Sequence, residues 1–288
     1  MTCVNSQIVT LELQRWIDEQ TAAGSPADAL LEAMVTSGWR RELARSALDA
    51  TLRARQQAQS QVQRAAPAAP ERLPEPLVAD GAHRVAAGDR EVAIVAEMRA
   101  PRVVVFAGLL ADPECDELVA LARQRLARSE TVHVETGGTE INAARTSDGM
   151  FFARAENPLV ERIEARIAAL LNWPADRGEG LQVLRYAPGA EYRPHYDYFD
   201  PADPGAPLIL ARGGQRVASL VMYLNTPLRG GATTFPDAGF AVAPQRGGAV
   251  FFSYDRPHPD TRTLHGGAPV LEGEKWVATK WLRERRFD

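Results

Sequence analysis

The chain is poor in two reactive residue types. Among 288 residues there are two cysteines and two lysines, although Lys and Arg together number 33. Cys3 and Cys115 are too few for a disulfide framework, which points to a reducing, cytoplasmic setting. No window approaches 18 uninterrupted apolar residues, so no membrane helix is expected. The opening stretch MTCVNSQIVTLELQRW lacks a basic region followed by an apolar run and a cleavage site, and does not read as a secretory signal. The arginines form no basic stripe and the net charge is −4, so neither nucleic acid nor a membrane is an indicated partner. What is present is ordinary for a globular protein: 45% hydrophobic and 24% charged, enough to bury a sizeable core.

Three segments differ in pattern. Residues 1–58 read as a small three-helix module. Ile8, Leu13, Trp16 and Ile17 recur at helical spacing, and Leu43, Ala47, Leu48 and Leu52 line a third helix. Between them Ser25-Pro26 reads as an N-cap with proline at the first helical position, and Gly38 as a stop. A bundle this small is marginal alone; it reads either as a plain extension or as a module that docks a protein partner. Residues 59–89 are rich in Pro, Ala and Gln with few large apolar side chains, a linker composition. From 90 to 288 the strings REVAIVAEM and PRVVVF read as strands, followed by helices opening at Asp112-Pro113 and Asn157-Pro158. Then come LQVLRY, YRPHYDYF, VASLVMYLN, FAVAP, GAVFFSY and EKWVATKWLRE, separated by Gly, Pro and Asp turns. Many short strands with regular turns predict an α+β, mainly β domain, an antiparallel jelly roll with the two helices outside one sheet.

The chain has five histidines. His195 precedes Asp197 in YRPHYDYF; if that string is one strand, both face into the barrel while Tyr196 faces away. Alone, His-x-Asp is a string that chance often supplies, and a strand histidine is usually an ordinary satisfied polar residue. The context adds weight. His265 lies 70 residues on, in LHGGAPV, which can be a strand, and Lys275 follows ten residues later. His83, His133 and His258 sit in linker, surface and proline-flanked settings and read as solvated. Two imidazoles and one carboxylate on one face of a divalent metal leave positions open for further ligands, and a nearby cation would anchor an anionic co-substrate. This chemistry suits several metals: no cysteine is near enough for a structural zinc, but a catalytic zinc stays open.

The runs PRVVVFAGLLADPECDEL, LQVLRYAPGAEYRPHYDYF, RVASLVMYLNTPLRGGATTFP and TLHGGAPVLEGEKWVATKWLRE closely resemble the prolyl 4-hydroxylases, iron(II)- and 2-oxoglutarate-dependent oxygenases with a double-stranded β-helix core. The resemblance covers about residues 100–284. It implies His195, Asp197 and His265 as iron ligands and Lys275 as partner of the far carboxylate of 2-oxoglutarate. Tyr186 would reach the same carboxylate and Thr233 would line its pocket, Thr234 pointing oppositely. Arg145 and Ser147, in AARTSDGMFF, resemble an Arg-x-Ser string in a mobile loop that closes over a peptide. Tyr192, Arg216 and Trp281 resemble residues of the peptide groove. Lysine at 275, where lysyl hydroxylases carry arginine, favours the prolyl branch. Without the resemblance Tyr186 and Trp281 read as core aromatics, and the Arg145 segment as a solvated loop. Two stretches depart from the family: the insertion-like PADPGAPLILARGG (201–214) and the Gly-Gly after His265.

The implied reaction is 4-hydroxylation of proline in a peptide or protein, coupled to oxidative decarboxylation of 2-oxoglutarate to succinate and CO2. It implies iron(II), 2-oxoglutarate and O2, with ascorbate alongside, and is compatible with a homodimer. Two readings compete: hydroxylation of another amino-acid side chain, and an inactive jelly-roll module that binds peptides. Retention of all four polar residues weighs against the second.

Overall fold

The computed structural model describes residues 11–22, 25–65, 72–79, 81–129, 131–132, 136, 138–140 and 144–288. The chain divides into two units, residues 1–68 and 69–288. The first contains helices α1 (Leu11–Ala22), α2 (Ala27–Thr36) and α3 (Arg41–Ala65) around Ile17, Leu30, Leu31, Met34, Ala44, Ala47 and Leu48. Gly38 follows α2 with φ +97°, a left-handed backbone that suits glycine. Ile8 lies outside the described residues. Two details differ from the expected module. Pro26 is itself the N-cap of α2, with no side-chain cap bond. And α3 continues to Ala65, well into the segment read as linker, because Gln, Ala and Arg are competent helix formers and the first proline comes only at Pro67.

The second unit is built from short strands. The first are β1 (Arg84–Ala86), β2 (Glu91–Met98), β3 (Arg102–Ala107), β4 (Ala127–Arg128), β5 (Thr131–Val132), β6 (Thr139–Glu140) and β7 (Asp148–Phe152). Then come β8 (Leu181–Tyr186), β9 (Tyr192–His195), β10 (Arg216–Tyr223), β11 (Arg229–Gly230) and β12 (Thr233–Phe235). The last are β13 (Phe240–Val242), β14 (Ala249–Ser253), β15 (His265–Gly267), β16 (Val270–Glu272) and β17 (Lys275–Arg283). Nine form one antiparallel sheet in the order β1-β2-β3-β14-β10-β17-β8-β7-β4, and four a second, β13-β12-β15-β9. The ladder thus begins at Arg84, inside the stretch read as linker, and β7 is an unforeseen strand cut from AARTSDGMFF.

Period-two alternation gives the large sheet two buried faces. Val103, Leu184, Tyr186, Val250, Phe252 and Val277 meet Phe235 and Val242 of the small sheet. Their neighbours Val104, Phe106, Val183, Phe251 and Ala278 face the other way, toward helices α4 (Asp112–Arg123) and α5 (Pro158–Leu171). This is the expected jelly roll with helices outside one sheet. Asn157 caps α5, its Oδ1 accepting from Val160 N at 3.0 Å. At α4 the cap differs from expectation: Asp112 is already helical, and Glu114 closes the turn by accepting from Ala111 N at 2.9 Å.

The two helices are tied by a buried arginine. Arg166 donates to Asp89 at 2.7 and 2.6 Å, to Glu114 at 2.7 and 2.8 Å, and to Leu109 O at 2.9 Å. Burial would raise the Glu114 carboxyl, but Arg166 outweighs it and holds the group at about 2, against an ordinary 4.5. The stabilisation this brings is therefore full above pH 4.5 and lost as pH falls toward 2. Arg166→Met strands a buried carboxylate and is expected to cost about 3–5 kcal/mol. A urea-unfolding series checks it, and the variant should also show a flatter stability profile between pH 5 and pH 3. A loss under about 1 kcal/mol would show that the network contributes little.

Candidate active site

Strands β9 and β15 place the two histidines. His195 ends β9, His265 opens β15, and the register sets them directly opposite, with ring centroids 4.4 Å apart. Asp197 is not on the strand. The ladder of β9 stops at His195 and Asp197 sits in the bend that follows, so alternation along a continuous YRPHYDYF strand is not what aims it. Strand β10 holds it instead: Ser219 Oγ donates to Asp197 Oδ2 at 2.5 Å, and Arg216 Nη1 donates to its carbonyl at 3.3 Å.

His195 Nε2 is 3.5 Å from Asp197 Oδ1, and His265 Nε2 is 3.4 Å from Oδ2. The ligand atoms of the three residues lie within 4.8 Å of one another. Each ring is oriented through its other nitrogen, His195 Nδ1 lying 2.9 Å from Arg193 O and His265 Nδ1 3.0 Å from Thr263 O. A proton on each Nδ1 leaves both Nε2 lone pairs facing the carboxylate, the tautomer that metal binding needs. Burial pushes His265 down to about 4, although Asp197 pulls the other way. Burial alone would raise Asp197, yet His265, His195 and Arg216 hold it well below the ordinary carboxylate range. The donors fit a divalent metal held by two imidazoles and one carboxylate, with positions left over.

Two cavities meet at this cluster. The smaller, about 50 Å³, is lined by Lys275, Tyr186 and Thr233. Lys275 pairs with Tyr186 in the β17–β8 register, is 3% exposed, and has no carboxylate partner among the described residues. Its Nζ stands 5.4 Å from the Tyr186 ring and 5.9 Å from that of Tyr223. Burial pushes its pKa down to about 8. Thr233 Oγ1 accepts from Tyr223 Oη at 2.8 Å, while Thr234 turns to Gly266 O at 3.4 Å. Gly231, at φ +73°, makes room for the lysine stem: a Cβ there would come within 3.1 Å of Lys275 Cδ. An unpaired cation among hydroxyls in a closed pocket is a receptor for an anion.

The larger cavity is a groove of about 910 Å³ that includes His195 and Asp197 in its lining. Tyr192 stacks on His195 at 3.7 Å, and the Arg145 guanidinium lies over Tyr192 at 4.9 Å. Arg145 is buried, with Nη2 donating to Gln182 Oε1 at 2.8 Å, so it is docked on the sheet rather than carried on a solvated loop. Ser147 does not reach the groove. It is fully buried, its Oγ donating to Ser129 Oγ at 3.0 Å, and Ser129 is the residue that lines the groove. Arg216 is sandwiched between Glu179, to which it donates at 2.7 and 2.9 Å, and the Trp281 ring at 4.1 Å. Trp281 lines both cavities, and its Nε1 has no hydrogen-bond partner among the described residues.

His83 is exposed and His258 turns toward Asp260; neither joins the cluster, and His133 lies outside the described residues. Sequence reading missed two groups. Ser219 left a faint signal, the one serine in the mostly apolar run VASLVMYLN. Glu179, which also meets Arg283 at 3.0 Å, left none.

Residues 181–283 match the family model described as the 2OG-Fe(II) oxygenase superfamily. Prolyl 4-hydroxylase 1 of Arabidopsis thaliana is 44% identical over 203 residues, which cover 64% of this chain and 70% of that protein. Prolyl 4-hydroxylase 2 of the same plant is 39% identical over 211 residues, 65% of this chain and 69% of that one. Among solved structures, the viral collagen prolyl hydroxylase of Paramecium Bursaria Chlorella virus-1, in complex with 2OG, aligns with 63% of this chain and 95% of its own, at 30% identity and a TM-score of 0.48.

Proposed function

The chain belongs to the prolyl 4-hydroxylases, a family of iron(II)- and 2-oxoglutarate-dependent oxygenases, and from that premise we propose that it hydroxylates C4 of proline residues in a peptide or protein. 2-Oxoglutarate and O2 are consumed together: one oxygen atom ends on proline, the other in succinate, and CO2 leaves. The observation that carries this reading is the meeting of two cavities at His195, Asp197 and His265, one closed around an unpaired lysine and one open as a groove.

Bound iron(II) supplies oxygen activation; the residues supply position. His195 and His265 offer Nε2 and Asp197 a carboxylate oxygen. Lys275 meets the far carboxylate of 2-oxoglutarate, Tyr186 and Thr233 bound the same pocket, and Gly231 leaves space for the lysine stem. In the groove the Tyr192 and Trp281 rings offer flat faces for a prolyl ring, with Arg145 and Arg216 fixing those rings from behind. The test is mass spectrometry of proline-containing peptides incubated with the enzyme, iron(II), 2-oxoglutarate and O2. One added oxygen on proline, recovered as 4-hydroxyproline in step with succinate, is the expected result; oxygen on another residue would overturn it.

The lowered pKa of Lys275 gives a pH signature. The ammonium that pairs with 2-oxoglutarate is lost as pH rises through about 8. Affinity for 2-oxoglutarate is therefore expected to be flat below pH 8 and to weaken above it, approaching one proton taken up per molecule bound. Titration calorimetry in two buffers of different ionisation heat checks both slope and proton count, and pH-independent binding up to pH 10 would contradict it.

The same proposal extends to ascorbate as an accompanying reductant and to a cytoplasmic location, which rests on the low cysteine content. Self-association and capture of a partner protein by the helical unit complete it; the separate core of that unit supports the latter.

A further inference from the structure

One wall of the groove is an alternation of rings and guanidinium groups drawn from distant parts of the chain. The Arg216 guanidinium lies over Trp281 at 4.1 Å and over Phe199 at 4.7 Å. Arg283 lies over Phe199 at 5.1 Å and over Phe287 at 5.0 Å. Arg212 lies over Phe287 at 4.8 Å and ends the row at the exposed rim. The inner end touches the metal cluster through Arg216 and the Asp197 carbonyl.

The outer half of this wall is made by the insertion-like stretch 201–214, which holds helix α6 (Ala206–Ala211), and by residues 283–288. The two are closed on each other. Arg283 Nη1 donates to Gly214 O at 2.8 Å, Arg285 N to Gly213 O at 2.9 Å, and Gln215 N to Glu284 Oε2 at 2.8 Å. Gly213, at φ +87°, lets Phe287 approach so closely that a Cβ would stand 3.2 Å from its Cα. Two of the three guanidiniums are already committed to one buried acid, Glu179, at 2.7 and 3.0 Å. The inner part of the wall is therefore charge-neutralised, and its outer end is the half-buried Phe287 ring with the exposed Arg212 guanidinium beside it.

We infer that Phe287 and Arg212, held in place by the 201–214 insertion, form an outer subsite that binds the uncharged, apolar flank of a peptide, so that this enzyme reads several residues beyond the one it modifies. The inference rests on the peptide-hydroxylation reading above. Five links of 4.1 to 5.1 Å make a wall no longer than an extended segment of about seven residues. A Pro/Ala-rich peptide of about nine residues should span the wall, and one of three residues should not.

The test compares kcat/KM for these two peptides. The wild-type chain should prefer the long peptide, and in Phe287→Ala that preference should fall about tenfold, through KM rather than kcat. Arg212→Ala should reduce it as well, and Phe287→Tyr, which keeps a ring between the two guanidiniums, should restore it. A long-to-short ratio unchanged in Phe287→Ala, or not restored by Phe287→Tyr, overturns the subsite. Fluorescence anisotropy of the two labelled peptides gives the same ratio as an equilibrium quantity, without turnover. Absence of hydroxyproline from either peptide, with the binding ratio intact, overturns the hydroxylation reading and leaves the subsite standing. Hydroxylation without any preference for length does the reverse.

Discussion

Asp197→Ala is expected to reduce succinate and hydroxyproline formation about a thousandfold or more, to the background of the assay. Asp197 supplies the only carboxylate of the His195, Asp197, His265 cluster, and the site has no charge to offer a divalent metal without it. The loss reaches further than one donor. Ser219 Oγ loses its acceptor, and Arg216 is left with Glu179 alone on its carboxylate side. Asp197→Asn separates these effects. The amide oxygen still accepts from Ser219, so the bend should survive, but the charge is gone and metal affinity should still collapse. Calorimetric titration with manganese, a redox-quiet stand-in, measures that affinity directly. A variant retaining a tenth of wild-type turnover would remove Asp197 from the metal site.

Lys275→Met should raise KM for 2-oxoglutarate about a hundredfold, since a carboxylate in a closed pocket loses its ammonium partner, a change worth about 2–5 kcal/mol. Methionine fills the space of the stem, which keeps the test on charge rather than on packing. Lys275→Arg should recover little. The pocket is about 50 Å³, the stem passes so near position 231 that a Cβ there would come within 3.1 Å of Lys275 Cδ, and a planar guanidinium needs a different shape from an ammonium. Initial rates of succinate formation across a range of 2-oxoglutarate concentrations give both numbers. A KM shift under threefold in Lys275→Met would mean that the co-substrate is anchored elsewhere.

The sequence exposed the parts of this site that depend on residue type and missed those that depend on contact. His195, His265 and Lys275 were legible because histidine and lysine are scarce here and fall beside recognisable strands. Asp197 was legible for the wrong reason. Its direction comes from the bend after β9 and from Ser219 across on β10, neither of which period-two reasoning contains. Strand β7 hid behind the polar composition of the preceding loop, and the resemblance set Ser147 in the groove, whereas its side chain is buried against Ser129 just before that strand begins. Helix α3 overran its assigned end because a Gln- and Ala-rich run is ambiguous between helix and linker until a proline decides it. The row from Trp281 to Arg212 joins positions 199, 212, 216, 281, 283 and 287, and no local pattern encodes such a set.

Both lysines lie on β17, five residues apart, and so point to opposite faces of the sheet. Lys275 enters the small cavity, and Lys280, 2% exposed, reaches Glu164 on α5 and the Glu179 carbonyl. Because β17 is hydrogen-bonded on both sides, to β10 and to β8, the only two lysyl peptide bonds in the chain are out of reach of any protease while the sheet is intact. An endoprotease specific for lysine would cut this protein only after the central strand has left its neighbours, and its cleavage rate would report opening of the whole domain rather than fraying of a loop.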